Sequence, residues 1–475
     1  MSVVGRDAHE VLLPNQPFSR VKATQVSART AAVIVAAIPM VTFLFLRLTD
    51  IARWRPERYL MVLCVTLGSL STAFGYLATG EPVLPENAQL VAHIQTATLL
   101  GFAVISLLQA GNPLADKSRA TSQRVLVVGL YVYLLAGLTT GLANGELSKK
   151  AVQSVPWFSL VVVLIGLRPV PIYDVLRALQ RLLMIPVWTS LLLLIQGDAR
   201  FLLGPRRITS PFLDERLAGV AIHPNVLGTV AVSAFVMVWF GRSHTQWRRI
   251  SLAVCVLVVW ATDSRIALTA LTIVVLGLWY RQSQSARRSY ASRRLAKALT
   301  ATAALTAACL LWLEIQNIRT ATGDFSGRGR LWDVVAGSWT KEPLLGVGDN
   351  LLGGVPEEST RGLWFGDLSH MHNQILDALT RTGLFGLLTF LYLVFCLITV
   401  SREKGLALGT PLRLLLASML AISVAEVPFR VGGLPMGVIA IFALLTLALS
   451  SAEVQVEPAS FDLQSRDGYV ARGSS

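Results

Sequence analysis

Two groups of residues in this 475-residue chain have the types and spacing to do chemistry. The first is His372-Asn373 followed, after nine residues, by Gly383-Leu384-Phe385-Gly386. Eleven residues from His372 to Gly383 is close to three helical turns, so on an unbroken helix both lie on one face. The rise per residue sets the glycines about 16 Å beyond the histidine. One reading is a general base or hydrogen-bond donor held over a groove. The other is a helix-capping pair plus two small residues that let another helix approach. Spacing alone leaves both open. The second group is a set of arginines. Arg216 precedes Gly219 and His223-Pro224-Asn225, Arg265 ends Asp263-Ser264-Arg265, and Arg328 and Arg330 lie in Ser326-Gly327-Arg328-Gly329-Arg330-Leu331-Trp332. The planar guanidinium fork pairs bidentately with phosphate oxygens, and Gly-Arg-Gly-Arg has the backbone freedom to close on an anion. Any one alone would read as a snorkelling arginine at the headgroup level. Four beside a histidine point to anion binding.

Other polar residues carry blander expectations. His93 reads as an interhelical hydrogen-bond partner, and His223-Pro224-Asn225 as a turn with Asn225 at a helix N-cap. Glu426, near Arg430, is either functional or half of a structural ion pair. No metal is expected: there are six His, and none sits in a His/Asp/Glu cluster of ligand spacing. The phosphate-loop, dinucleotide and nucleophile-elbow motifs are absent from the sequence.

The elements that must position these residues follow from composition. The chain is 53% hydrophobic and 15% charged, with mean hydropathy +0.58; a soluble domain carries about 25% charged residues. Apolar runs of about 17–25 residues, the span of a bilayer core, recur along it. Disorder, a disulfide scaffold and a soluble multidomain enzyme are excluded. The fold class expected is all-α: a polytopic transmembrane helical bundle of 12–13 spans with one long extracytoplasmic loop. The segments are 30–47, 59–79, 88–110, 124–143, 151–167, 172–196, 219–240, 248–263, 265–280, 297–316, 373–400, 411–428 and 433–450. Pro39 interrupts the first, which spans or is re-entrant, and Ile172–Leu182 is amphipathic enough to lie along the interface. The chain thus divides into a polar tail (1–29), a transmembrane bundle (30–316), a loop with an amphipathic helix (317–372), further transmembrane helices (373–450) and a polar tail (451–475). Cys64, Cys255, Cys309 and Cys396 all fall in apolar runs and read as packing residues.

The net charge of +14 has a topological explanation. Loops in odd positions, with their edges, hold 22 Lys and Arg against 13 in even positions, five of those in the long loop. By the positive-inside rule the odd loops are cytoplasmic, and nucleic acid is not expected as a partner. Arg216, Arg265, Arg328 and Arg330 then face outward, where that rule does not place arginine.

These fragments occur in a fixed order: Arg216-x-x-Gly219, His223-Pro224-Asn225, Asp263-Ser264-Arg265, Gly329-Arg330-Leu331-Trp332, Pro343-Leu344-Leu345-Gly346-Val347-Gly348, and His372-Asn373-x9-Gly383-x-x-Gly386. Together, over about residues 200–400, they resemble the O-antigen ligase superfamily of polysaccharide ligases and polymerases. The resemblance implies a metal-independent glycosyltransferase of the cytoplasmic (inner) membrane, in cell-envelope polysaccharide or lipopolysaccharide biosynthesis, with its active site on the periplasmic face. It implies no cofactor. Its donor would be a glycan on a polyprenyl (undecaprenyl-type) diphosphate, and its acceptor a hydroxyl on a glycan, lipid or protein. It implies His372 as catalytic base and Arg216 and Arg265 as diphosphate ligands, with Arg328, Arg330 and Asn373 also at the substrate. One departure is Arg381, where relatives often carry an acidic residue; facing the groove, it would alter the donor or acceptor. Two other readings stand beside the ligase: a polymerase of the same superfamily, and a multi-span transporter or lipid flippase. The second would call for charges along an intramembrane pathway or two related halves, and the chain shows neither pattern.

Overall fold

The computed structural model describes residues 55–78, 85–110, 121–166, 170–198, 201–205, 213–241, 244–285, 339–348, 372–424, 426–429 and 435–450. Segments 30–47 and 297–316, most of the long loop with Arg328 and Arg330, Arg430 and both tails lie outside them. The other expected segments are all α-helices. In chain order they are α1 (Pro56–Ala78), α2 (Pro85–Ala110), α3 (Thr121–Ala143), α4 (Leu147–Gly166), α5 (Ile172–Ile195), α6 (Pro224–Phe240), α7 (Thr245–Ala261), α8 (Arg265–Ser285), α9 (Gln374–Glu403), α10 (Leu406–Ile422) and α11 (Pro435–Leu449). Between α5 and α6, β1 (Leu202–Pro205) pairs antiparallel with β2 (Glu215–Leu217), followed by a 3-10 turn at Gly219–Ala221. The protein is an all-α polytopic membrane protein. Helices α1, α3, α5 and α9 contain spans long and apolar enough to cross a bilayer, and shorter apolar helices include α6 and α10.

The burial pattern follows from what each helix can offer a neighbour. Helix α6 is apolar on every side and is buried from Pro224 to Val238 apart from Val226, as an all-round hydrophobic helix must be. It packs against α5, α7, α8, α10 and α11. Peripheral helices instead turn large apolar side chains outward: Leu100, Val104 and Leu107 on α2, Val128, Leu135 and Leu142 on α3, and Leu388, Leu391 and Phe395 on α9. Stripes at three-, four- and seven-residue intervals suit a solvent of lipid tails. The amphipathic stretch at Ile172 is part of a continuous α5, with Val175, Leu176, Leu179 and Leu182 buried and α1 and α6 as packing partners. It does not lie apart along an interface.

Helix α9 is not one rod. Gly383 breaks it with φ 63°, ψ −164°, and the backbone groups released there find partners in the end of the long loop. Val347 N–H donates to Thr380 O (2.8 Å) and Gly348 N–H to Arg381 O (3.1 Å); Leu384 N–H donates to Pro343 O (2.9 Å) and Phe385 N–H to Leu344 O (3.2 Å). A Cβ at Gly383 would sit 2.2 Å from Leu344 O, and one at Gly346 2.5 Å from Thr380 O. Helix α3 holds the other side of this segment, Thr140 Oγ1 donating to Leu345 O and Asn144 Nδ2 to Gly346 O. The glycines of the two motifs therefore serve one contact, between a loop strand and a broken helix. They do not admit a second helix.

Candidate active site

Arg216, His223, Asn225, Thr262, His372 and Glu426 meet at one end of the bundle, where β2 leads into α6, α7 turns into α8, α9 begins and α10 ends. Arg216, on β2, donates from Nε to Thr262 O (3.2 Å) and from Nη2 to Asn225 Oδ1 (3.2 Å). Asn225 Nδ2 donates to Glu426 Oε1 in a short hydrogen bond. Glu426 Oε1 in turn lies 3.4 Å from His372 Nδ1. One chain of contacts thus runs from guanidinium to amide to carboxylate to imidazole. The His223 and His372 rings face each other with centroids 6.3 Å apart.

Local structure explains why these groups point where they do. His223, not Asn225, is the N-cap of α6: its Nδ1 accepts from Asn225 N–H at 3.3 Å, and Pro224 fills the first helical position. That frees the Asn225 side chain for Arg216 and Glu426. An accepting Nδ1 also puts the proton of a neutral His223 on Nε2. Asn373 is the N-cap of α9, its Oδ1 accepting from Leu376 N–H (3.0 Å) while Nδ2 donates to Val424 O (2.8 Å). Gln374 N–H donates to Ser423 O and its Oε1 accepts from Phe429 N–H, both at 2.9 Å. The first turn of α9 is therefore stitched to the turn carrying Glu426. Ile222 (φ 69°), Asp263 (φ 47°) and His372 (φ 50°) are the non-glycine residues with positive φ among the described residues. Each belongs to one of the converging motifs. Such conformations cost about 1–3 kcal/mol each and persist where surrounding contacts over-determine them.

The predicted residues are placed unequally. His372 is partly exposed and held by Glu426. Arg216 is joined to it through two residues. Arg265 is half-buried in the first turn of α8, three residues after the Thr262 carbonyl that Arg216 grips, and Ser264 Oγ accepts from Ala267 N–H to cap that helix. The Asn373 amide holds the backbone at both ends, a positioning task. Arg381 is buried and pairs with Asp377 at 3.0 Å, away from this cluster, and His93 is exposed on α2. Sequence reasoning missed Glu426 as the partner of His372. Its expected neighbour Arg430 lies outside the described residues, and a 54-residue separation gives no periodicity to read.

Residues 225–391 match the model of the O-antigen ligase family. The matched segment opens at Asn225, contains Arg265, His372 and Gly383-x-x-Gly386, and is flanked by Arg216 and Glu426. No curated protein matches the chain. The chain is thus a multi-pass helical membrane protein in which one segment is similar to the O-antigen ligase family, and that segment supplies Asn225, Thr262 and His372 to the cluster at the bundle end. Among the described residues, no group of three or more His, Cys, Asp or Glu could hold a metal ion.

Proposed function

We propose that this protein transfers a glycan from a polyprenyl diphosphate to an acceptor hydroxyl, without a metal, on the outer face of the cytoplasmic membrane. The observation that carries the reading is the Arg216–Asn225–Glu426–His372 chain of contacts. It couples a phosphate-binding type of group to a proton-accepting one in a protein with an O-antigen ligase segment. With Nδ1 of His372 turned to Glu426, Nε2 is the atom that takes the acceptor proton, and the carboxylate stabilises the imidazolium that forms. The acceptor oxygen bonds to the anomeric carbon as its bond to the diphosphate oxygen breaks, inverting that carbon. The diphosphate leaves against Arg216 and Arg265, joined by Arg328 and Arg330 from the long loop. Guanidiniums aimed at the departing charge do the neutralising work that a divalent cation would otherwise do.

The test is to incubate the purified protein with an undecaprenyl-diphosphate glycan and candidate acceptors in the presence of EDTA. Product should form, and His372→Ala should slow it by about 10²–10⁴-fold, the usual contribution of a positioned base. Full transfer by His372→Ala would overturn the base assignment, and abolition by EDTA the metal independence. Product size separates the two members of the class: one glycan block moved to an anchor marks a ligase, and a lengthening ladder a polymerase.

A further inference from the structure

The carboxylate that faces His372 does not sit on a helix. Helix α10 ends at Ile422, and Glu426 stands in the irregular segment that follows, residues 423–429. Backbone groups outside a helical or strand ladder must find partners elsewhere, and Pro428 has no N–H to offer. The position of Glu426 is therefore set by whatever its neighbours' N–H and C=O groups bond to.

Glu426 N–H itself reaches back to Ile422 O at 2.9 Å. Beyond that, both ends of the segment are fastened to one residue. Gln374 N–H donates to Ser423 O, and Gln374 Oε1 accepts from Phe429 N–H, each at 2.9 Å. Gln374 is buried and lies two places after His372 in the sequence. Asn373 Nδ2 adds a hold on Val424 O at 2.8 Å. At the far end Tyr133 Oη, from α3, donates to Phe429 O at 2.7 Å. The N–H and C=O of Phe429 are thus gripped from two different helices. Its ring is buried against Phe390, with centroids 5.5 Å apart, and Phe390 lies 6.3 Å from the Tyr133 ring. Glu426 is suspended between two fixed points.

Burying an amide side chain is costly unless its hydrogen bonds are made, so a glutamine here calls for a reason. The distance between Glu426 Oε1 and His372 Nδ1, 3.4 Å, is set on one side by the start of α9 and on the other by this segment. Gln374 belongs to both. We propose that Gln374 is a positioning residue: by holding the two ends of the segment it sets Glu426 against Nδ1 of His372 and so aims the base. Tyr133 shares the task from α3. The consequence for catalysis rests on the glycan-transfer reading, but the effect on His372 does not.

The test combines Gln374→Met, which removes the acceptor facing Phe429 N–H at similar volume, with Glu426→Ala, which leaves no carboxylate to position. In the undecaprenyl-diphosphate transfer assay with the full-length protein, Gln374→Met should lower kcat by about 10–100-fold, the scale of a small misplacement of a reacting group. Donor KM should hardly move. Gln374→Glu, which returns an acceptor oxygen, should recover most of the loss. In the Glu426→Ala background Gln374→Met should cost no more than about twofold, because both changes remove one interaction. Equal losses in the two backgrounds would overturn the proposal, and so would wild-type kcat in a folded Gln374→Met protein. Tyr133→Phe loses a single hydroxyl and runs the same cycle if Gln374→Met does not fold: its kcat loss should vanish without Glu426, and a loss that persists overturns the proposal. A second readout needs no transfer. Diethyl pyrocarbonate modifies His372, and mass spectrometry of its peptide gives the rate. Gln374→Met and Glu426→Ala should shift that rate in the same direction, and the double variant no further; an unchanged rate in Gln374→Met overturns the proposal. This pattern in a protein that transfers nothing would retire the transferase reading and leave the positioning role standing.

Discussion

His372 and Glu426 are 54 residues apart in sequence and meet through one contact, and the chemistry expected of each depends on the other. An imidazole alone at a loop–helix junction rotates, and its two nitrogens are interchangeable. With the Glu426 carboxylate at Nδ1, the proposed mechanism leaves Nε2 for the acceptor, and Asn225 holds the carboxylate in place. Glu426→Gln keeps an oxygen for Asn225 Nδ2 but removes the charge that stabilises the imidazolium. Its kcat is expected to fall by about 10–100-fold, less than the loss on removing the base itself, while the donor KM stays within twofold. Steady-state transfer kinetics check this, and a KM effect without a kcat effect would make Glu426 a binding residue. Arg216→Lys should show the opposite split. A point charge replaces the fork that holds both Thr262 O and Asn225 Oδ1, so donor KM rises severalfold and kcat falls less.

The elements around these residues explain why some motifs were readable and others misread. Hydropathy placed the helices because only an unbroken apolar run can satisfy its backbone in a bilayer, and the resulting boundaries fall within about six residues of those observed, the largest misses being at α6, α8 and α10. Gly383 is the exception. In sequence, a glycine amid apolar residues reads as small-residue packing, because nothing local announces that the helix breaks there. The cause lies far away in sequence, in the Pro343–Gly348 run whose carbonyls and N–H groups replace the lost helical partners. Gly383→Ala and Gly346→Ala should each destabilise the protein by about 2–4 kcal/mol, since each forces an unfavourable φ and a backbone collision at once. The double variant should lose little more than either alone, because both remove the same contact. Thermal unfolding of the three variants in detergent checks this; strict additivity would mean that the loop strand and the kink are energetically separate.

For the whole molecule, the low charged fraction identified a membrane bundle, but only the three-dimensional arrangement shows what the few buried charges do. In the sequence, the odd-numbered loops with their edges hold 22 Lys and Arg against 13 in the even-numbered ones. At the end opposite the cluster, Lys404 caps α9 and donates to Ser450 O at 2.5 Å. Desolvation pulls its ammonium from 10.5 down to about 8. A depressed lysine penalises folding while both states are protonated. The penalty is full below about pH 8 and relieved between about 8 and 10.5, so this group makes stability rise with pH across that window. Lys404→Met has no such group, and from pH 7.5 to 10 the wild type should gain about 2–4 °C in Tm relative to it. The orientation of the two ends makes the last prediction. Asp214, exposed between β1 and β2, lies at the cluster end of α6, and Thr245, exposed at the start of α7, lies beyond its other end. The 17 residues of α6 separate these ends by about 25 Å. By the positive-inside rule, the excess of basic residues predicts that the Thr245 side is cytoplasmic. In a background with the four native cysteines replaced, Asp214→Cys should react with an impermeant maleimide on intact spheroplasts. Thr245→Cys should react only after the membrane is opened. The reverse pattern would put His372 and its arginines on the cytoplasmic side, and the proposed transfer on the outer face would have to be abandoned, whatever activity the purified protein shows.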